Sequence, residues 1–368
     1  MNNPRIARIA PLALTALLLL LLAAGCGGKK DKEGEMAEQE TEQETPIAQQ
    51  EPEPEPEPEP AFYAPLTGMP RDAEAKLRPV AVMINNLAPA RPQSGLPHAD
   101  MVWEVLAEGG ITRLIAIFQS DEAYDGAIGP IRSIRPYMIE IAESYRAVIV
   151  HAGASNEAYG ILQKQKKEHL DEITNAGSYF RRDSSRKAPH NLYSDLPNLR
   201  KGAEKRGYAA EVEIPAFRFL DGEGSGAPAG NALEIDIRFQ LKNYIVSYRY
   251  DAEKRQYLRF INGEPHTDLV SGEQLAATNL AVLGTSHKVL DKEGRLAVDL
   301  ASGGPAMLIR HGEAIECRWE RGEDGVIRLM KDGEELPFAR GNVYYHVVPD
   351  PQSVADHVTI RQPESAGT

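Results

Sequence analysis

Apolar positions along this chain fall into four regimes. An apolar run from Ile9 through Leu22 is followed, from Gly27 to Pro60, by a stretch with almost no hydrophobic residues. From Ala61 to about Gly207 two periodicities alternate. Pro79 to Asn85, Leu114 to Phe118 and Ala147 to Val150 are near-continuous apolar runs of strand length. Between the last two, Tyr137, Ile141 and Tyr145 recur at helical spacing within Pro136 to Arg146; Ser155 to Gln163 and Pro197 to Arg206 are further helix candidates. Proline at the first helical position is tolerated because its missing N–H needs no partner there. Interspersed strands and helices predict an α/β or α+β N-terminal domain over residues 61–210.

After Glu211 the period shortens to two. Tyr244, Val246, Tyr248 and Tyr250 alternate with other residues, and Tyr257, Arg259 and Ile261 follow a turn. Runs at Leu280 to Leu283, Ala306 to Arg310, Ala314 to Trp319, Val326 to Met330 and Val343 to Val348 are divided by turns at Gly303-Gly304, Asp324-Gly325 and Asp332-Gly333. A mainly β C-terminal domain is expected over residues 231–350. Residues 211–230 then form a linker or entry loop and residues 351–368 a C-terminal tail.

The N-terminal run carries Arg5 and Arg8 before it and ends Leu22-Ala23-Ala24-Gly25-Cys26. Small residues before a cysteine after an apolar run resemble the lipobox of bacterial lipoproteins, with Ala23 where leucine is commonest. The resemblance implies a signal peptide over residues 1–25 and a diacylglyceryl, palmitate-bearing Cys26 that holds the mature protein on the outer face of the cytoplasmic membrane. Residues 26–60 follow as an acidic tether with Glu-Pro repeats from Glu51 to Pro60; too polar to bury a core, it is expected to be disordered, with a reach on the order of 100 Å.

Charge changes meaning once it is divided this way. The 368 residues carry 54 acidic and 41 basic side chains, a net of −13. Twelve of the acids and only three lysines lie in residues 27–60, so the remainder from Ala61 is only mildly acidic. Nothing in the balance suggests a nucleic-acid partner. Two cysteines exclude a disulfide framework, and no metal signature, P-loop or dinucleotide fingerprint is present, so no cofactor is expected.

Arg91 to Leu114 (RPQSGLPHADMVWEVLAEGGITRL), together with Pro65-Leu-Thr-Gly68, Ile84-Asn85-Asn86, Gly129-Pro-Ile-Arg-Ser-Ile-Arg135, His151-Ala-Gly153, Arg182-Asp183 and Ala188-Pro-His-Asn191, resembles the YerB family of Gram-positive lipoproteins. The likeness runs from about Pro65 to Pro349. It implies two domains of unknown function and brings no catalytic residues with it.

Candidate chemistry therefore rests on the residues themselves. Arg132 and Arg135 stand before the Pro136 helix, and cations there oppose the helix dipole unless an anion or an internal acid such as Glu104 or Glu108 compensates them. Arg113, Arg182, Arg186, His190 and Asn191 extend this anion-binding set, and Arg181 to Asn191 reads as a loop. Glu104, Asp100, His151 and Asp183 are the candidate acids and bases. If Ala99 to Leu106 is a strand, Asp100 and Glu104 share a face with Val102 and Leu106, which suits structural carboxylates with partners. Ser155 reads as a helix N-cap and Cys317 as a buried apolar residue. The preferred expectation is a lipid-anchored envelope protein binding an anionic wall polymer, peptidoglycan or a partner protein. The alternatives are an extracytoplasmic hydrolase or transferase acting on a phosphorylated or glycosidic substrate, and an adaptor with internal arginine–carboxylate pairs.

Overall fold

The computed structural model describes residues 60–221 and 230–361. The expected signal peptide, Cys26, nearly all of the tether, residues 222–229 of the expected linker and the last seven residues lie outside the described residues.

Five segments of the first half form buried strands: β1 Val80–Asn85, β2 Met101–Leu106, β3 Thr112–Phe118, β4 Val148–His151 and β5 His169–Asp171. Every residue of the five is buried, as expected of strands covered on both faces. The second half supplies β6 Glu234–Arg238, β7 Ile245–Asp251, β8 Gln256–Ile261, β9 Asn279–Gly284, β10 Gly304–Arg310, β11 Glu313–Arg321, β12 Ile327–Lys331, β13 Val343–Val348 and β14 Val358–Arg361. The three described α-helices are α1 Pro136–Ser144, α2 Asn156–Lys164 and α3 Leu196–Lys205. Each starts where the sequence predicts, within a residue. Ser155 caps α2 by accepting from Ala158 N–H at 3.2 Å, and Asp195 caps α3 by accepting from Asn198 N–H at 2.9 Å.

The fold is thus mixed α/β in its first half and mainly β in its second. Both halves enter a single 11-stranded sheet. From the two-residue strand Glu334–Glu335 inward its order is β12-β11-β10-β9-β13-β2-β3-β1-β4-β5. β13, late in the chain, lies between β9 and β2 and is parallel to both. Tyr345 of β13 consequently stands beside Trp103 of β2, their rings stacked with centroids 3.9 Å apart. β1, β2, β4, β5, β9 and β13 all run one way, with β3 opposed to its neighbours, so their carboxyl ends gather along one rim.

Alternation sends side chains to two cores. One face carries Ala81, Met83, Trp103 and Ile115 beneath α1 and α2; the other carries Val82, Val102, Leu106 and Leu114 against the inner residues of a second sheet. That sheet is built on β8-β7-β6-β14, with β14 from the expected tail closing it through antiparallel pairing to β6. Residues 211–221 cross between the halves as packed chain: Val212 N–H donates to Lys76 O at 3.1 Å, and Phe217 is buried against Tyr145 and Phe338. Among the described residues no helix is long and apolar enough to cross a membrane.

Candidate functional site

At the rim of carboxyl ends, where open α/β sheets usually gather ligands, the segment 130–134 is laced across the ends of two strands. Asn85 N–H donates to Pro130 O and Arg132 N–H to Met83 O, both at 2.8 Å; Ala152 N–H donates to Arg132 O and Ile134 N–H to Gly153 O, both at 3.0 Å. This holds Arg132, Ser133 and Arg135 over the rim with little backbone freedom. Arg113, opposite Asn85 at the start of β3, reaches the same place, and its Nη1 donates to Ser133 O at 2.7 Å.

Each guanidinium then meets a different fate. Arg135 grips Glu108 through two contacts, one of them 2.9 Å from Nη2, and adds Ile134 O at 2.8 Å. This is one of the internal acids the sequence offered. Burial alone would raise Glu108, but Arg135 holds it below the ordinary carboxylate range. Arg113 is buried; desolvation, with the charges of Arg135 and Arg132 beside it, pushes it down to about 10, so it remains a cation at neutral pH. Arg132 is half-buried, and its Nε is buried with no acceptor among the described residues. Desolvation and the neighbouring Arg135 lower it too. Three guanidiniums therefore share one carboxylate.

The second basic cluster is a ribbon with a loop. Arg181–Arg182 pairs with Leu192–Tyr193, so the expected loop is confined to the residues between them. Arg182 donates to Asn191 Oδ1 at 3.1 Å and Glu172 at 3.0 Å, and Arg186 to Ala90 O and Pro92 O at 2.9 and 2.8 Å. Asn191 closes the loop by donating to Asp183 O at 3.1 Å and Arg186 O at 3.2 Å. Asp183 accepts from Ser185 N–H at 2.8 Å and shapes the turn. His190 alone of this set reaches the rim, where its Nδ1 lies 2.9 Å from Asn85 Nδ2, beside Arg132.

The candidate acids and bases sit elsewhere. Asp100 is buried and accepts from Gln119 N–H at 2.5 Å, Ser120 N–H at 3.0 Å and the Ser120 hydroxyl. Glu104 shares the face of Val102 and Leu106 as its spacing implies, and so points between the two sheets. There it accepts from Arg259 Nη2 and the Thr112 hydroxyl at 2.7 Å each, from Tyr244 at 2.6 Å and from Asn86 at 3.1 Å. Burial pushes Glu104 upward, yet the Arg259 charge and these bonds hold it below the carboxylate range. The same buried network runs through Tyr248, His346, His266 and Gln93, with Arg259 Nε donating to His266 Nδ1 at 3.0 Å. Its links from Arg259 to His346 and to Glu104 span 87 and 155 residues of chain, and local spacing holds no signal of them. His151 is wholly buried, with Nδ1 donating to Gly153 O and Nε2 facing His169 Nδ1, both at 3.0 Å; burial pushes it down to about 4. Neither Glu104 nor His151 bonds Arg132. Among the described residues no group of three acids, cysteines or histidines could hold a metal ion.

Three comparisons cover most of the chain. Residues 66–209 match the N-terminal domain, and residues 235–345 the C-terminal domain, of a protein family of unknown function, DUF3048. A Bacillus subtilis (strain 168) protein named "Putative lipoprotein YerB" is 36% identical over 288 residues, 78% of this chain and 86% of that one. The crystal structure of YerB protein from Bacillus subtilis superposes with a TM-score of 0.74 at 35% identity, covering 82% of this chain and all of that one. The fold is thus shared, and the chain belongs to the YerB family of DUF3048 proteins.

Proposed function

We propose that this protein is a lipoprotein, anchored at the outer face of the cytoplasmic membrane through a diacylglyceryl Cys26, whose Arg132 rim binds an anionic ligand of the cell envelope. The lipoprotein name of the relative and the lipobox resemblance support the anchoring half. Arg132 carries the binding half. Its backbone is pinned to the ends of β1 and β4 through Met83 O and Ala152 N–H, its Nε is buried without an acceptor among the described residues, and two further guanidiniums flank it against the single carboxylate of Glu108. A buried donor left unsatisfied costs about 1–3 kcal/mol. An oxyanion on Arg132 would remove that cost and the mutual repulsion together, and a bidentate guanidinium suits phosphoryl or carboxylate oxygens. Binding needs only donors, and the nearby groups are donors: Glu104, Asp100 and His151 are committed to other partners.

The test is thermal unfolding of the wild type and Arg132→Gln with inorganic phosphate and poly(glycerol phosphate) fragments at fixed ionic strength. Ligand at a hundredfold excess over Kd should stabilise the wild type by about 2.7 kcal/mol. Arg132→Gln should lose that response while keeping or raising its ligand-free stability, since the unsatisfied Nε and the repulsion leave with the guanidinium and no carboxylate is stranded. A flat wild-type response, or an undiminished one in the variant, overturns the reading.

A further inference from the structure

The Arg132 rim includes a histidine whose protonation is dictated by the bonds around it. Asn85, at the end of β1, is 3% exposed, and its Oδ1 accepts from Leu87 N–H at 3.1 Å. That bond fixes the amide orientation, because the reversed amide would set its NH2 group against another N–H. Asn85 Nδ2 therefore faces His190 Nδ1 as the donor at 2.9 Å. A nitrogen that accepts carries no proton, so the proton of the neutral ring is on Nε2. Arg186 clamps the loop bearing His190 onto Ala90 O and Pro92 O, which keeps the ring in place. The charges facing His190 are Arg132 from the segment 130–134 and Arg186 from its own loop, both cations. Burial, Arg132 and Arg186 all lower its pKa, so electrostatics and the hydrogen bond agree.

We propose that Asn85 is a positioning residue that keeps His190 neutral with Nε2–H as a fixed donor, so that Arg132 and His190 together take a phosphodiester without proton uptake. The proposal rests on the anion reading of Arg132. The ligand class follows from what the pair can offer. A phosphomonoester gains a second charge near pH 6 and profits most from an imidazolium partner, which Asn85 withholds. A phosphodiester keeps one charge throughout, matching one constant cation and one neutral donor.

Two measurements test it. Imidazole 15N NMR on the wild-type protein, with the His190 signals identified by their loss in His190→Gln, should show the Nε2–H tautomer at pH 7. An imidazolium or an Nδ1–H tautomer overturns the proposal whether or not any ligand binds. Glycerophosphoglycerol affinity should then change less than twofold between pH 8 and pH 5.5 in the wild type. In Asn85→Asp the new carboxylate accepts from Nδ1–H and favours the imidazolium, so affinity should tighten about fivefold over the same span, the order of one exposed ion pair. A wild-type protein that tightens fivefold on acidification, or a flat Asn85→Asp whose His190 is an imidazolium, overturns the proton-free binding. If the tautomer is as expected but the wild type binds no diester, the Arg132 reading fails and the ligand assignment fails with it.

Discussion

Removing the Arg259 guanidinium tests how the two sheets are held together. Arg259→Met keeps most of the apolar stem and deletes the charge that Glu104 accepts from at 2.7 Å. Both side chains are 1% exposed, so the carboxylate left behind cannot turn to water. Breaking one side of a buried pair costs roughly 3–5 kcal/mol. Glu104 keeps Thr112, Tyr244 and Asn86, which limits the loss, but Tyr248 and His266 lose the donor they share. That range corresponds to a drop in Tm of roughly 6–20 °C for a chain of this size. The pH dependence separates an electrostatic cause from lost packing. In the wild type Glu104 lies below its unfolded pKa and contributes stability above about pH 4. Without Arg259, burial dominates and its pKa rises above the unfolded value, so the variant's deficit should shrink as acid protonates the stranded carboxylate. His346 and His266 lose the same repelling cation and shift the deficit in the same direction. Urea unfolding at pH 7.5 and pH 4.5 reads the difference. In Glu104→Gln/Arg259→Met the cost should fall below the sum of the two single variants. A deficit under about 1 kcal/mol at pH 7.5, or one equal at both pH values, would refute the reasoning.

Two further outcomes are expected. Burial drives His151 down to about 4, His346 to about 3 and His266 well below its ordinary value, so each takes up a proton on unfolding once the pH is below about 6.5. Stability should fall with acid from about pH 6.5 toward pH 4, by roughly 1.4 kcal/mol per pH unit for each such histidine; unfolding free energies that stay level between pH 6.5 and 5 would contradict their neutral burial. Cys26→Ser should move the protein from washed membranes to the soluble fraction and abolish palmitate labelling; retention of the unlabelled variant in membranes would remove the lipid anchor from the account.

Much of the local architecture was legible in the chain, because each cue acts within a few residues. Apolar runs bounded by turns marked β1, β4 and β13 to within two residues, a proline at N1 or N2 marked the starts of α1 and α3, and Ser155 capped α2 as its position implied. The alternation of Tyr257, Arg259 and Ile261 even placed Arg259 on a strand's inner face, without a reason for an arginine to be there. The cationic rim was legible as composition. Which arginines it leaves available was not, since Glu108 and Glu172 choose among them by distance in space.

What the chain order could not convey is pairing between segments remote from one another. The insertion of β13 between β9 and β2 and the meeting of Glu104 with Arg259 across 155 residues depend on which apolar faces find each other in the collapsed chain. Hydrophobic periodicity tells each strand that it has a buried face; it does not tell it which face of which partner to cover. Local sequence therefore determined the elements and their caps. The tertiary structure alone decided that one sheet runs through both halves, that a glutamate near the rim serves the core, and that Arg132 and His190 stand together at the ends of β1 and β4.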